Sequence, residues 1–174
     1  AARKELQAAG VADPGREVAS LLAFALSKTS TFLFAHPEYE ITPSEYKLFD
    51  ESLKRRSNRE PYQYIVGHQE FYGLDFEVSS DVLIPRPETE TLVEDAIGTL
   101  QGLTDPTFCE IGVGSGCISI SILHNVKNAM GVGVDSSDKA LHVARQNSVK
   151  HQVAERLVFL QGEVFGVIKC KFVG

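Results

Sequence analysis

Cysteine is scarce. The chain of 174 residues holds three, an odd number that points away from a disulfide framework. Cys109 and Cys117 stand in apolar surroundings and are expected to be small buried residues. The five histidines form neither a His-Glu-x-x-His run nor a Cys/His metal spacing, so no metal is expected. Long apolar runs are missing too. Nothing approaches the ~20 residues of a membrane-spanning helix, and no secretory signal opens the chain. There is no excess of positive charge. Lys and Arg number 17 against 23 Asp and Glu, a net charge of −6. That argues against affinity built on broad phosphate contact, so direct nucleic-acid binding is not expected. The local exception, Lys54, Arg55, Arg56 and Arg59, reads as a solvated helix C-terminus that complements the helix dipole. Methionine occurs once, at Met130, and the first residue is Ala1. Both ends therefore read as cut. A reducing, cytoplasmic setting fits this composition.

What is present suits an ordinary globular chain: 43% hydrophobic and 23% charged residues, enough for one domain or two small ones. Residues 1–60 read as a helical bundle. Gly10 stops a short first helix, and Asp13-Pro14 caps and opens a second. That second helix carries the stripe Val18, Leu21, Leu22 and Ala25. Thr31 to Ala35 reads as a further short turn. Thr42-Pro43-Ser44-Glu45 is a capping-box start, with Tyr46, Phe49 and Leu53 as the buried side of its helix. The segment carries no catalytic constellation, and packing and recognition both remain open as its role. Residues 61–84 turn aromatic and β-branched. Gln69–Tyr72, Gly73 and Leu74–Val78 read as a hairpin that connects to residues 85–174. In Ile84-Pro85-Arg86-Pro87-Glu88-Thr89-Glu90, the prolines fix the backbone and Pro87 opens a helix carrying Leu92, Val93, Ala96, Ile97 and Leu100. Glu88 and Glu90 suit its first turn, and Arg86 is held rigidly between two prolines.

Phe108 to Gly116 organises the remainder of the chain. It reads as a strand, a glycine-rich turn and a helix of about Ser115 to His124. A second strand, Met130 to Val134, ends at Asp135. A helix starting near Ser136 then turns Ala140, Leu141, Ala144 and Val149 inward. Strand Leu157 to Gln161 ends at Gly162-Glu163. Glycines let a backbone approach a ligand closely, and an acid ending the next strand can accept bonds from both ribose hydroxyls. This pattern predicts a nucleoside-cofactor pocket at the carboxyl edge of a Rossmann-like α/β sheet. A dinucleotide fingerprint would need a third glycine at position 117, which is Cys117, and a diphosphate is disfavoured beside Glu110. S-adenosylmethionine carries an ammonium and a sulfonium instead, and an acid beside those is favourable.

Gly67-His68-Gln69-Glu70-Phe71-Tyr72-Gly73, then Ile84 to Glu90, then Glu110-Ile111-Gly112-Val113-Gly114-Ser115-Gly116, resemble in order and spacing the HemK/PrmC family. These are protein-(glutamine-N5) methyltransferases of peptide chain release factors. The resemblance implies an α/β fold: a helical N-terminal module, a hairpin connector, and the first half of a class I methyltransferase sheet. It implies S-adenosylmethionine as cofactor. Gly112, Val113, Gly114, Ser115 and Gly116 would wrap its methionine and ribose part, Glu110 would lie near its charged end, and Asp135 would hold the ribose hydroxyls. Glu163 would sit at the adenine, where the family commonly has Asp, and the segment from Arg86 to Glu90, with Arg86 and Thr89 as its cofactor-binding residues, would border the pocket. The implied partner is a release factor presenting the glutamine of a Gly-Gly-Gln loop. The family's Asn-Pro-Pro-Tyr motif, which positions the amide nitrogen, is expected soon after Lys171-Phe172, but the chain stops at Gly174. No residue present is therefore assigned as catalytic, and the third strand is expected to be an exposed edge. An adenine-N6 methyltransferase of nucleic acid and a non-catalytic cofactor-binding fragment are the alternative readings. A nicotinamide oxidoreductase is more distant.

Overall fold

Three helix starts in the first part of the chain are written by side-chain caps. The computed structural model describes residues 1–163. Helix α1 spans Ala2–Ala8 and α2 spans Pro14–Ala25, the latter capped by the Asp13 side chain accepting from the Arg16 N–H. Helix α3 (Ser30–Ala35) is capped by Thr29. Helix α4 (Pro43–Ser57) has the full capping box, Thr42 and Glu45 each satisfying the other's backbone N–H. A fifth helix, α5, covers Tyr62–Val66, inside the stretch expected to be a connector. Ala1–Val66 form one compact unit, with Leu6, Val11, Leu21, Leu53 and Ile65 as its core.

Two expectations for this unit need correction. Tyr46 is 60% exposed, because the core meets only the second half of α4, around Ser52 and Leu53, and leaves the same stripe uncovered nearer the start of the helix. The basic cluster is also more than a solvated helix end. Arg56 grips the Glu17 carboxylate of α2, and Arg59 donates to the carbonyls of Ala9 and Gly10 at 2.7 and 2.9 Å.

The second unit begins at Gly67. Strands β1 (His68–Phe71) and β2 (Leu74–Glu77) form an antiparallel hairpin. Its two-residue turn places both Tyr72 and Gly73 at positive φ, which matches the twist of the strands. Phe71 and Phe76 anchor it in the core, about 2 kcal/mol each of apolar burial. Pro87 opens a 3-10 turn, Pro87–Thr89, and helix α6 starts only at Glu90 and runs to Leu100. The Glu90 carboxylate accepts the Tyr72 N–H at 2.9 Å, so that acid fixes the hairpin turn besides facing the helix dipole.

Strands β3 (Thr107–Ile111), β4 (Met130–Asp135) and β5 (Leu157–Gln161) form a parallel sheet in that order. Helices α7 (Cys117–Asn125) and α8 (Asp138–Lys150) make the crossovers. Among the described residues β3 and β5 each pair on one side only. Thr107, Cys109 and Ile111 alternate onto the uncovered side of β3, so Cys109 is exposed and not buried. A cleft of about 370 Å³ runs along that strand, lined by Leu92, Leu100, Ile111 and Ile122 among others. Cys117 is buried, and burial pushes its thiol up to about 11. Val149 is 67% exposed because it lies opposite the inward stripe of Ala140, Ala144 and Asn147 on α8. Lys171-Phe172 lie outside the described residues.

Candidate functional site

Register brings the sequence-predicted residues to one edge. Ile111 pairs with Val134 and Asp135 pairs with Gln161, so the three parallel strands end level. The chain then leaves β3 over the tip of β4, with the N–H groups of Gly112 and Val113 both donating to the Val134 carbonyl at 2.8 and 3.0 Å. Gly112, Gly114 and Gly116 have φ of 74, 54 and 81°, the left-handed region in which side chains are strained. At Gly116 space forbids a side chain as well. A Cβ there would meet the Ile120 Cδ1 at 2.8 Å and the Ala144 Cβ at 3.4 Å, because α7 starts directly against α8.

Three side chains hold this turn. Asp135 accepts the Gly114 N–H at 3.0 Å with one oxygen and the Ser137 N–H at 2.9 Å with the other. Each oxygen keeps a second lone pair for a ligand hydroxyl. Glu110 reaches forward from β3 to accept the Ser119 N–H at 3.0 Å and the Ser119 hydroxyl. The N-cap residue of α7 is Gly116, which has no side chain, so Glu110 does the capping from the strand. Burial pushes the Glu110 carboxyl up to about 7, against the pull of the two Ser119 bonds; the Asp135 charge adds to the rise. Asn147 of α8 is the third. It is fully buried, and its Nδ2 donates to the Ser115 carbonyl at 2.9 Å.

Val113 and Ser115 are buried in the turn. Glu163 is exposed and lies just past the end of β5, two residues beyond the partner of Asp135. Arg86 is exposed and caps the 3-10 turn with its carbonyl, which accepts the Thr89 N–H at 3.0 Å; Thr89 is half-buried. Hydrogen bonding in that segment runs within its own turn, whereas Glu110, Gly112–Gly116 and Asp135 are bonded into one set. Ser119 and Asn147 were not among the sequence-predicted residues. The available signal for Asn147 was a polar residue inside an apolar helical stripe, one turn after Ala144. Among the described residues no group of His, Cys, Asp and Glu is arranged to hold a metal ion, and no helix is long and apolar enough to cross a membrane.

The fold and this edge define an α/β protein of the Rossmann-like class, with a glycine turn leading into a helix and an acid ending the next strand. Residues 1–67 match the model of the PrmC N-terminal domain. A release factor glutamine methyltransferase of Koribacter versatilis is 41% identical over 149 residues, 86% of this chain and 53% of its own length. Its counterpart from Nitratidesulfovibrio vulgaris is 38% identical over 93% of this chain and 55% of its own length. The Moorella thermoacetica protein of the same name is 38% identical over 95% and 59%. The resemblance to the HemK/PrmC family therefore holds along most of the chain, which spans about half the length of the curated relatives it matches.

Proposed function

We propose that this chain supplies the helical module and the cofactor edge of a protein that methylates the side-chain amide nitrogen of glutamine in the Gly-Gly-Gln motif of peptide chain release factors. The observation that carries the reading is the bonded set at the carboxyl edge, in a chain whose relatives bear the name release factor glutamine methyltransferase. S-adenosylmethionine, when bound, supplies an electrophilic methyl group on a sulfonium. The residues present fit such a group. Asp135 offers two free lone pairs to a ribose. The turn brings backbone close at Gly112, where nothing lies within 4 Å of the missing Cβ. Glu110 favours a cation over a phosphate, because a neighbouring positive charge would relieve a carboxyl that burial holds near 7.

In this reading Gly112 to Gly116 bind the methionine and ribose part, Asp135 orients the ribose, and Glu163 lies toward the adenine. Arg86 and Thr89 border the pocket. Residues 1–60 recognise the release factor, residues 61–84 connect, and residues 85–174 carry the cofactor, in the cytoplasm where release factors act. Group transfer forms a bond from the glutamine nitrogen to the methyl carbon and breaks the carbon–sulfur bond, and one amide proton goes to solvent. The nitrogen is a poor nucleophile, so orientation in line with the methyl group is the larger requirement.

Calorimetry of S-adenosylmethionine binding tests the site, with Asp135→Ala as the control. Binding that the control loses supports the reading, and equal binding by the control removes Asp135 from it. Titrations in buffers of different ionisation enthalpy add a second check. Release of part of a proton near pH 7 is expected as the cation pulls Glu110 into its ionised form. Labelled methyl transfer to a release factor tests the activity, and its absence with the whole protein would sink it.

A further inference from the structure

We propose that Asn147 is a positioning residue that selects one orientation of the Ser115–Gly116 peptide and ties that orientation to the hairpin. The proposal rests on the cofactor-edge reading above. Its starting point is the freedom of Gly116. Glycine tolerates both signs of φ, so the turn that glycine makes possible is not specified by glycine alone. A rotation of the Ser115–Gly116 peptide plane would turn its N–H and its carbonyl to opposite sides of the turn. The structure pins that plane at both ends. The Gly116 N–H donates to the Val113 carbonyl at 2.8 Å, and the Ser115 carbonyl accepts from Asn147 Nδ2 at 2.9 Å. The Ser115 carbonyl would otherwise be the acceptor for the Ser119 N–H, but that donor is taken by Glu110. Without Asn147 it would be a buried acceptor with no donor, which costs free energy.

The same amide does a second thing. Its Nδ2 donates to the Glu77 carbonyl at 3.0 Å and its Oδ1 accepts the Glu77 N–H at 2.8 Å, a two-point clasp on the backbone at the end of β2. Asn147 thereby uses both donors and its acceptor, all inside the protein and fully buried. Side chains with only donors or only acceptors cannot serve both Glu77 groups and Ser115 at once. Hairpin and glycine turn are therefore set by one planar group. A ligand that stabilises the turn also stabilises the clasp on Glu77, and by linkage the clasp stabilises the ligand-ready turn.

The test compares the protein with its Asn147→Asp variant, a near-isosteric change that keeps an acceptor for the Glu77 N–H and removes both donors. Three quantities are read: S-adenosylmethionine dissociation constant, thermal midpoint, and amide exchange at Gly116 and Glu77. The expected result is at least a tenfold rise in the dissociation constant, well below the variant's own melting temperature, with faster exchange at Gly116. Asp135→Asn should weaken binding while leaving Gly116 exchange unchanged. Unaltered affinity in a folded Asn147→Asp protein overturns the proposal. If the variant does not fold, the unmutated protein decides: ligand should slow Glu77 exchange about tenfold, and no slowing overturns the coupling. If the unmutated protein binds no S-adenosylmethionine, the cofactor reading fails separately. Gly116 exchange in the variant then still tests whether Asn147 pins the peptide, and unchanged exchange refutes it.

Discussion

The helical unit and the α/β unit use polar groups in opposite ways. In residues 1–66 the polar contacts are caps and ion pairs on or near the surface: Asp13, Thr29 and Thr42 at helix starts, Lys54 with Asp50, Arg55 with Glu60. Most serve one helix end or one pair, Arg55 reaching also to the Tyr64 carbonyl at 3.1 Å, and water can replace most of them. In the second unit the decisive polar groups are buried or half-buried and each holds more than one partner: Asn147, fully buried, three backbone groups; Asp135, half-buried, two; Glu110 an N–H and a hydroxyl. A surface contact that is lost is partly replaced by water. A buried group that loses its partner is left unsatisfied, and that asymmetry makes the second set the less tolerant one.

Four perturbations bear on that contrast. The largest effect is expected for Gly116→Val, which adds left-handed strain to a collision with Ile120 and Ala144. The expected loss is about 3 kcal/mol or more. Denaturant unfolding followed by a probe in the sheet measures it, and a loss under about 1 kcal/mol would show that the turn relaxes freely.

Next is the pH dependence carried by Glu110. Its folded-state carboxyl titrates near 7 against an ordinary value of 4.5. Between those values the folded state holds a proton that the unfolded state has released. Its contribution is therefore fully present below about 4.5, falls as pH rises, and is gone above about 7. Glu110→Gln keeps an acceptor for the Ser119 N–H and removes the titration. Across that window the unmutated chain should lose about 3 kcal/mol relative to the variant. Parallel stability curves for the two proteins would contradict the assignment.

The helical unit offers one case that blurs the comparison. Arg56 and Glu17 are only 17 and 26% exposed and bond through both guanidinium nitrogens facing the carboxylate. Arg56→Ala should cost about 2 kcal/mol, between the surface and buried extremes. A cost near zero would make this pair an ordinary surface pair and sharpen the contrast. The smallest effect belongs to Thr42→Ala, about 1 kcal/mol from the lost cap, seen as faster exchange at the Glu45 amide. A much larger loss would mean that the start of α4 is not independently replaceable.

Local chemistry accounts for the features that were legible in the sequence. Thr42-Pro43-Ser44-Glu45, Asp13-Pro14 and Gly73 act over a few residues, so the caps stand where the sequence places them and the turn differs only by taking in Tyr72. Glu110, Gly112–Gly116 and Asp135 were legible for the same reason: the spacing of strand, turn and next strand brings them to one edge. Sequence and structure part where neighbours distant in sequence decide. Cys109 and Ile111 face a cleft because no described residue covers that side of β3, and Tyr46 is exposed because the core ends before it reaches the start of α4.

Sequence by itself determined the capped starts of α2 and α4, the hairpin, the order of the α/β elements and the position of the glycine turn, because each obeys a short-range rule of capping, φ or strand length. Only the tertiary structure decided that Glu110 caps α7, that its carboxyl is held near 7, and that Asn147 joins β2 to the turn. Those are properties of burial and of partners as many as 70 positions apart in the chain, and no local pattern encodes which distant backbone group a side chain will meet.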